Sequence, residues 1–124
     1  MLAMTMRALV VKVTVGEDSA ERCSQGFTVA ATAASAGADV ILWLTGDATF
    51  FGLPGKAEEF HLEHAAALSQ LRDQILEFGK IKVCTQCAKR RSITQDQLIP
   101  GVEIAGASTF VEDVMRSDVQ ALIY

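Results

Sequence analysis

Two cysteines three positions apart, Cys84 and Cys87, are the side chains whose type and spacing point most directly to chemistry. They lie in residues 81–91, Ile-Lys-Val-Cys-Thr-Gln-Cys-Ala-Lys-Arg-Arg, where an apolar run ends in a cysteine and a basic segment follows. If the run is a strand and the segment opens a helix, the N–H groups at the helix start favour a thiolate. Such a thiolate has a lowered pKa and reacts near neutral pH. Sulfur chemistry at Cys84 is therefore the first hypothesis.

The role of the second cysteine is open. Cys84 and Cys87 could cycle between dithiol and disulfide, as the pair does in thioredoxin-like redox proteins. Cys87 could instead act as a resolving thiol for a sulfenic acid or persulfide on Cys84, or it could only pack in a helix. If Cys84 is also a packing residue, the chain is a non-catalytic oligomeric binding module. Lys89, Arg90 and Arg91 follow within two helical turns and are candidates to add positive potential.

The remaining candidate residues give weaker predictions of function. His61 and His64 invite a zinc site together with the cysteines, but their order and spacing match no zinc-finger pattern, so we expect no metal. Either histidine could still serve as an acid, a base or a substrate contact. Cys23 falls on an apolar helix face and is expected in the core. No dinucleotide fingerprint or phosphate loop is present, so no cofactor is expected.

The elements that would position these side chains alternate along the chain. Apolar runs predict strands, and the spacing of apolar residues between them predicts helices, with a long connection at residues 45–61. The predicted strands are residues 6–15, 38–44, 81–84, 102–105 and 119–124, and the main predicted helices are residues 19–36, 62–78 and 107–115. This alternation predicts a single α/β domain over residues 1–124, with three layers and a mainly parallel, five-stranded, flavodoxin-like sheet.

Ligands of open α/β sheets bind outside the carboxyl ends of the strands, and Cys84 is the only strongly nucleophilic side chain expected there. The length of 124 residues and a hydrophobic content of 50% suit one packed domain. A net charge of −4 gives no footprint for general nucleic-acid binding. No apolar run is long enough for a membrane helix, residues 1–15 are not a secretory signal, and three cysteines make no disulfide scaffold. We therefore expect a cytoplasmic protein.

Residues 83–93, Val-Cys-Thr-Gln-Cys-Ala-Lys-Arg-Arg-Ser-Ile, resemble the active-cysteine segment of the DsrE/DsrF-like sulfur-relay family, in the TusD-like form. In that family an apolar strand ends in the sulfur-carrying cysteine, and small residues, Arg-Arg-Gly and a β-branched residue follow. The final helix and strand, residues 106–124, are also similar to the family. Two positions depart from its pattern, because Ser92 replaces the glycine and Cys87 is additional.

The resemblance implies that this chain is a stand-alone, small sulfur-relay protein of the DsrE-like fold, assembled as a homo-oligomer of three or six subunits. It implies that Cys84 accepts sulfane sulfur as a persulfide and passes it to an acceptor thiol, which would make the protein a sulfur carrier or sulfurtransferase. Sulfur donor and acceptor proteins are the implied partners. A dithiol redox protein using Cys84 and Cys87 remains the first alternative.

Overall fold

Five parallel strands form one sheet in the computed structural model, which describes residues 7–124, and their order is β4-β3-β2-β1-β5. The strands are β1 (Ala8–Val13), β2 (Asp39–Leu44), β3 (Lys80–Cys84), β4 (Val102–Ala105) and β5 (Val119–Ile123). The helices are α1 (Ala20–Ser35), α2 (Lys56–Glu59), α3 (Leu68–Phe78), α4 (Thr85–Arg90) and α5 (Ala107–Val114). The predicted three-layer α/β domain with a five-stranded parallel sheet is therefore confirmed. Met6, where the first predicted strand begins, lies outside the described residues.

The chain adds β2, β3 and β4 successively on one side of β1 and then returns to place β5 on the other side. Because crossovers between parallel strands are right-handed, a change of direction puts the next helix on the opposite face of the sheet. The main core accordingly contains residues of α1, α3 and α4 on one face, and α5 packs alone on the other. We call the second surface the α5 face.

The main core is built from the side chains that alternate strand residues direct towards α1 and α3. Val11, Leu42 and Val83 are fully buried there, together with Phe27 of α1 and Ile75 of α3. The α5 face is smaller and is centred on Trp43, whose ring meets the ring of Phe110 edge-on at 5.4 Å. Within residues 7–124, no helix is long and apolar enough to cross a membrane.

The predicted helix at residues 62–78 was wrong in its first six residues, because α3 begins at Leu68. His64 adopts φ 60°, a left-handed conformation that interrupts a helix, and Leu68 is the first residue of the segment to be buried. The predicted connection at residues 45–61 is also more ordered than a loop. It contains a 3₁₀ segment (Gly46–Gly52) and α2, held to the core by the buried ring of Phe51.

Candidate functional site

Cys84 ends β3 next to the end of β4, with which it is in register at Ala105. After β3 the chain turns into α4, whose Ala88 is buried in the main core, whereas after β4 it turns into α5 on the opposite face. Such a divergence of two neighbouring connections opens a crevice at the carboxyl edge of the sheet, the usual ligand site of this architecture. The structure therefore has its switch point at Cys84.

The environment of Cys84 favours its thiolate. The side chain is half-buried, and burial raises the pKa of the thiol. The N–H and the thiol of Cys87, the N–H of Gln86 and the charge of Lys12 outweigh that effect, so the pKa of Cys84 is lowered from its ordinary value. No side-chain capping hydrogen bond forms at the start of α4, so the two N–H groups act by their proximity to the sulfur.

Cys87 is buried beside Cys84, in the first turn of α4. Its Sγ accepts a hydrogen bond of 3.3 Å from the backbone N–H of Gly46, in the connection after β2. Gly46 has φ 55°, and a Cβ there would lie 2.3 Å from the carbonyl oxygen of Thr14, so only glycine fits this crossing of two loops. Cys87 is thus held both by its position in α4 and by the hydrogen bond from the connection after β2.

The three basic residues predicted to support Cys84 have different surroundings. Arg91 is tied to the connection after β2, because its Nη2 lies 2.8 Å from Oδ1 of Asp47 and its guanidinium carbon lies 5.4 Å from the centroid of the Phe50 ring. It also donates to the carbonyl oxygen of Cys87 at 3.1 Å. Lys89 and Arg90 are exposed, and within residues 7–124 neither makes an ion pair.

Ser92 occupies the position at which the family pattern has glycine, and it adopts φ 55°. The N–H of Ile93 donates to the carbonyl oxygen of Ala88, and the N–H of Ser92 donates to that of Lys89, at 2.9 and 3.1 Å. These two bonds make a Schellman motif, in which the residue after the helix end is left-handed and is usually glycine. The serine therefore keeps the backbone shape that ends α4.

Sequence reasoning missed Lys12, a half-buried lysine of β1 whose charge acts on Cys84. The signal was present, because Lys12 interrupts an otherwise apolar strand and must face away from Val11 and Val13. What the sequence did not reveal is that β1 and β3 are both neighbours of β2, with Lys12 and Cys84 on the same face.

The other sulfur and histidine candidates lie apart from this edge. Cys23 is fully buried, which confirms the expected core role, and burial with the nearby charge of Asp18 raises its pKa to about 12. His61 and His64 are exposed in the segment before α3. Among the described residues, no group of three or more His, Cys, Asp or Glu side chains could hold a metal ion.

Two concave regions accompany the site without being lined by either cysteine of the Cys-x-x-Cys pair. A cavity of about 240 Å³ lies over the connection after β2 and shares Asp47 with the Arg91 ion pair; its other lining residues are Glu17, Phe50, Phe51 and Lys56. A wider groove of about 610 Å³ runs between α1 and the segment that contains His64. Neither of them is the crevice at Cys84.

A model of the DsrE/DsrF-like family matches residues 7–119, which include the crevice, all three cysteines and helices α1 to α5. The chain belongs to the DsrE/DsrF-like family. One relative in this comparison is the uncharacterised protein MK0008 of Methanopyrus kandleri, 30% identical over 99 residues, which are 79% of this chain and 78% of that protein.

Two solved structures share the fold of this DsrE/DsrF-like protein. The YchN protein of E. coli superposes with a TM-score of 0.80 at 21% identity, over 96% of this chain and 100% of that one. The protein MTH1491 of Methanobacterium thermoautotrophicum, of unknown function, superposes with a TM-score of 0.64 at 8% identity, over 95% and 98% of the two chains. Together they support the DsrE-like arrangement of the five strands.

Proposed function

We propose that this DsrE/DsrF-like protein carries sulfane sulfur as a persulfide on Cys84 and transfers it to an acceptor thiol. The observation that carries the proposal is the position of Cys84, half-exposed at the switch point of the sheet with its pKa lowered. A carrier must attack a donor at neutral pH and afterwards hold an anion, and both demands favour a stabilised sulfur anion.

The proposed cycle is a sequence of two exchanges at sulfur. The Cys84 thiolate attacks the outer sulfur of a donor persulfide, R–S–S⁻; a new S–S bond forms, the old one breaks, and R–S⁻ leaves with the electron pair. Cys84–S–S⁻ remains on the protein. An acceptor thiolate then attacks the outer sulfur, becomes the persulfide and returns Cys84 as a thiolate. No external oxidant is needed, because each step conserves charge and electrons.

Intact-mass measurement after incubation with a sulfane-sulfur donor tests the proposal. We expect the wild-type protein to gain the mass of one sulfur atom, with fragmentation localising it to Cys84. Cys84→Ser should gain none, and Cys23→Ser, which removes a buried thiol of raised pKa, should load like the wild type. A wild-type protein that never gains sulfur on Cys84 would overturn the carrier proposal.

A dithiol redox activity is the second candidate, because the thiol of Cys87 lies beside Cys84. Its signature is a Cys84–Cys87 disulfide that forms and is reduced at a defined potential. The two functions separate in Cys87→Ala, which should still load sulfur on Cys84 if the protein is a carrier and should lose all activity if the disulfide is essential. A Cys84 thiol that is inert at neutral pH would favour the third candidate, a non-catalytic binding module.

We further propose that the protein works as a homo-oligomer, in the cytoplasm, with protein partners that donate and accept sulfur. Membership of an oligomeric family supports the assembly. So do three exposed apolar side chains, Val111 on α5, Met115 directly after α5 and Ile123 on β5, which are 54, 76 and 65% exposed. Sedimentation of the purified protein tests the assembly, and a monomer at micromolar concentration would contradict it.

A further inference from the structure

A row of side chains crosses the α5 face at the level of Lys82, two residues before Cys84 and the crevice. Lys82 is in register with Trp43, Trp43 with Lys12, and Lys12 with Ile123. Because strand residues alternate between faces, Cys84, two positions after Lys82, belongs to the same face. The row therefore brings two lysines to the surface that the sulfur shares.

The two lysines of the row differ in their partners. Lys82 is buried, and its Nζ lies 2.8 Å from Oδ2 of Asp113, which also accepts the Trp43 indole N–H at 3.0 Å. Its charge is thus neutralised inside the protein. Lys12 is half-buried, and none of the carboxylates between residues 7 and 124 pairs with it. Within that range, no ion pair compensates its charge.

The ring of Phe110 holds the Lys12 amine near the carboxyl edge of the sheet. Nζ lies 4.6 Å from the ring centroid, a cation–π contact that fixes the direction of a flexible side chain. Phe110 belongs to the first turn of α5, and α5 starts at Ala107 directly after β4, so the ring is close to that edge. Neighbouring strands are about 4.8 Å apart, which puts the backbones of β1 and β3 about 10 Å from each other. The charge of the Lys12 amine acts across this gap and lowers the pKa of Cys84.

We propose that Lys12 is a specificity-determining residue that makes Cys84 react preferentially with anionic reagents, and that its natural role is to favour the reaction of Cys84 with anionic sulfane-sulfur donors. The second part rests on the proposed carrier function. The physical reason is that a thiolate and an anionic donor repel each other, and a fixed cation whose charge reaches the thiolate offsets that repulsion. Thiosulfate is a suitable probe because it carries two negative charges.

The step with thiosulfate balances without another reactant. The Cys84 thiolate attacks the outer sulfur, the bond between the two thiosulfate sulfurs breaks, and sulfite leaves with the electron pair. The products are Cys84–S–S⁻ and SO₃²⁻, so the total charge of −3 is conserved. Both the entering and the leaving species are dianions, and the Lys12 charge acts on each of them.

Alkylation by two reagents of nearly equal shape tests the charge preference without any sulfur transfer. Iodoacetate is anionic and iodoacetamide is neutral, and both react only with the thiolate. The measured ratio is the iodoacetate rate divided by the iodoacetamide rate at Cys84, and changes in the thiolate fraction cancel in it. In Lys12→Met we expect this ratio to fall about two- to tenfold, which is the effect of one charge within about 10 Å at a wet surface. Lys12→Arg should restore the ratio. Fragmentation of the labelled peptide separates Cys84 from Cys87.

The matched control is Lys80→Met, which removes the same charge from the exposed start of β3, four residues before Cys84. It should leave the ratio unchanged. For the wild type, added salt should lower the ratio, which tests the proposal even if Lys12→Met does not fold. A rate ratio that changes neither with added salt nor in Lys12→Met would overturn the proposal.

The sulfur assay then separates this proposal from the proposed function. If the ratio depends on Lys12 and thiosulfate loads the wild type faster than Lys12→Met, both parts hold. If the ratio depends on Lys12 but no donor ever loads Cys84, the carrier function fails and the anion preference stands. If Lys12→Met loads from thiosulfate as fast as the wild type, the natural role of Lys12 as a donor-selecting residue is overturned.

Discussion

The backbone N–H of Gly46 donates a 3.3 Å hydrogen bond to Sγ of Cys87, which joins the connection after β2 to the first turn of α4. A sulfur that accepts from Gly46 still has its own S–H to donate, and that thiol lies beside Cys84. We expect this thiol to donate to the Cys84 thiolate, whose pKa it lowers. Such a donor role for the second cysteine does not require a disulfide.

Replacing Cys87 by alanine should slow the reaction of Cys84 at neutral pH. The substitution removes a thiol donor that lowers the pKa of Cys84, so that pKa should rise and the thiolate fraction at pH 7 should fall about two- to fivefold. Cys87→Ser keeps a hydroxyl donor and should lose less. The rate of iodoacetamide labelling against pH measures both variants, and an unshifted profile in Cys87→Ala would contradict the donor role.

The pH profile of wild-type Cys84 should itself lie on the acid side of an ordinary thiol. A lowered pKa means that the thiolate forms at a lower pH. The labelling rate should therefore rise and reach its plateau at a lower pH than for a free thiol reference. Cys23 is the internal control, because its pKa of about 12 should leave it unlabelled in the folded protein through neutral pH. A half-maximal rate at the pH of the free reference would contradict the expectation.

Ser92→Gly should stabilise the protein. Ser92 has φ 55°, where a Cβ clashes with the backbone and glycine does not, so the substitution should raise the free energy of unfolding by about 0.5–1 kcal/mol. Part of the relief is cancelled by the greater freedom of glycine in the unfolded chain. Urea denaturation gives the measurement. Ser92→Ala, which retains the Cβ, should give no such gain, and equal effects of the two variants would contradict the strain argument.

The sequence was sufficient to predict the parallel sheet and the position of Cys84 at its carboxyl edge, because both depend on local patterns. Leu9, Val11 and Val13 in β1, or Ile81 and Val83 in β3, are apolar runs that only a buried strand explains, and a cysteine at the end of such a run must lie at the carboxyl edge. The helix start at Leu68 could not be predicted in the same way, since the left-handed conformation of His64 has no strong signature in a histidine.

The contribution of Lys12 was out of reach for a different reason. Its effect on Cys84 depends on the strand order, on the face that α5 covers and on the ring of Phe110, which are all contacts between distant parts of the chain. Proximity in sequence favoured Lys89, Arg90 and Arg91 instead. For Arg91 the deciding partner was Asp47, 44 residues away, and no local pattern indicates that pair.

The buried pair of Lys82 and Asp113 should be the most sensitive charge site for stability, because it fixes α5 on the sheet and with it the ring beneath Lys12. Nζ and Oδ2 are 2.8 Å apart with both residues buried, so Asp113→Asn leaves a lysine charge without compensation. We expect a loss of about 3–5 kcal/mol, and Lys82→Met combined with Asp113→Leu should recover only part of it, because the Trp43 indole N–H loses its acceptor. Denaturation of the single and double variants measures the coupling. Asp39→Asn, at an exposed pair 3.4 Å from Arg116, is the control and should cost at most about 1 kcal/mol; an equally small loss in Asp113→Asn would mean that the buried pair does not hold α5.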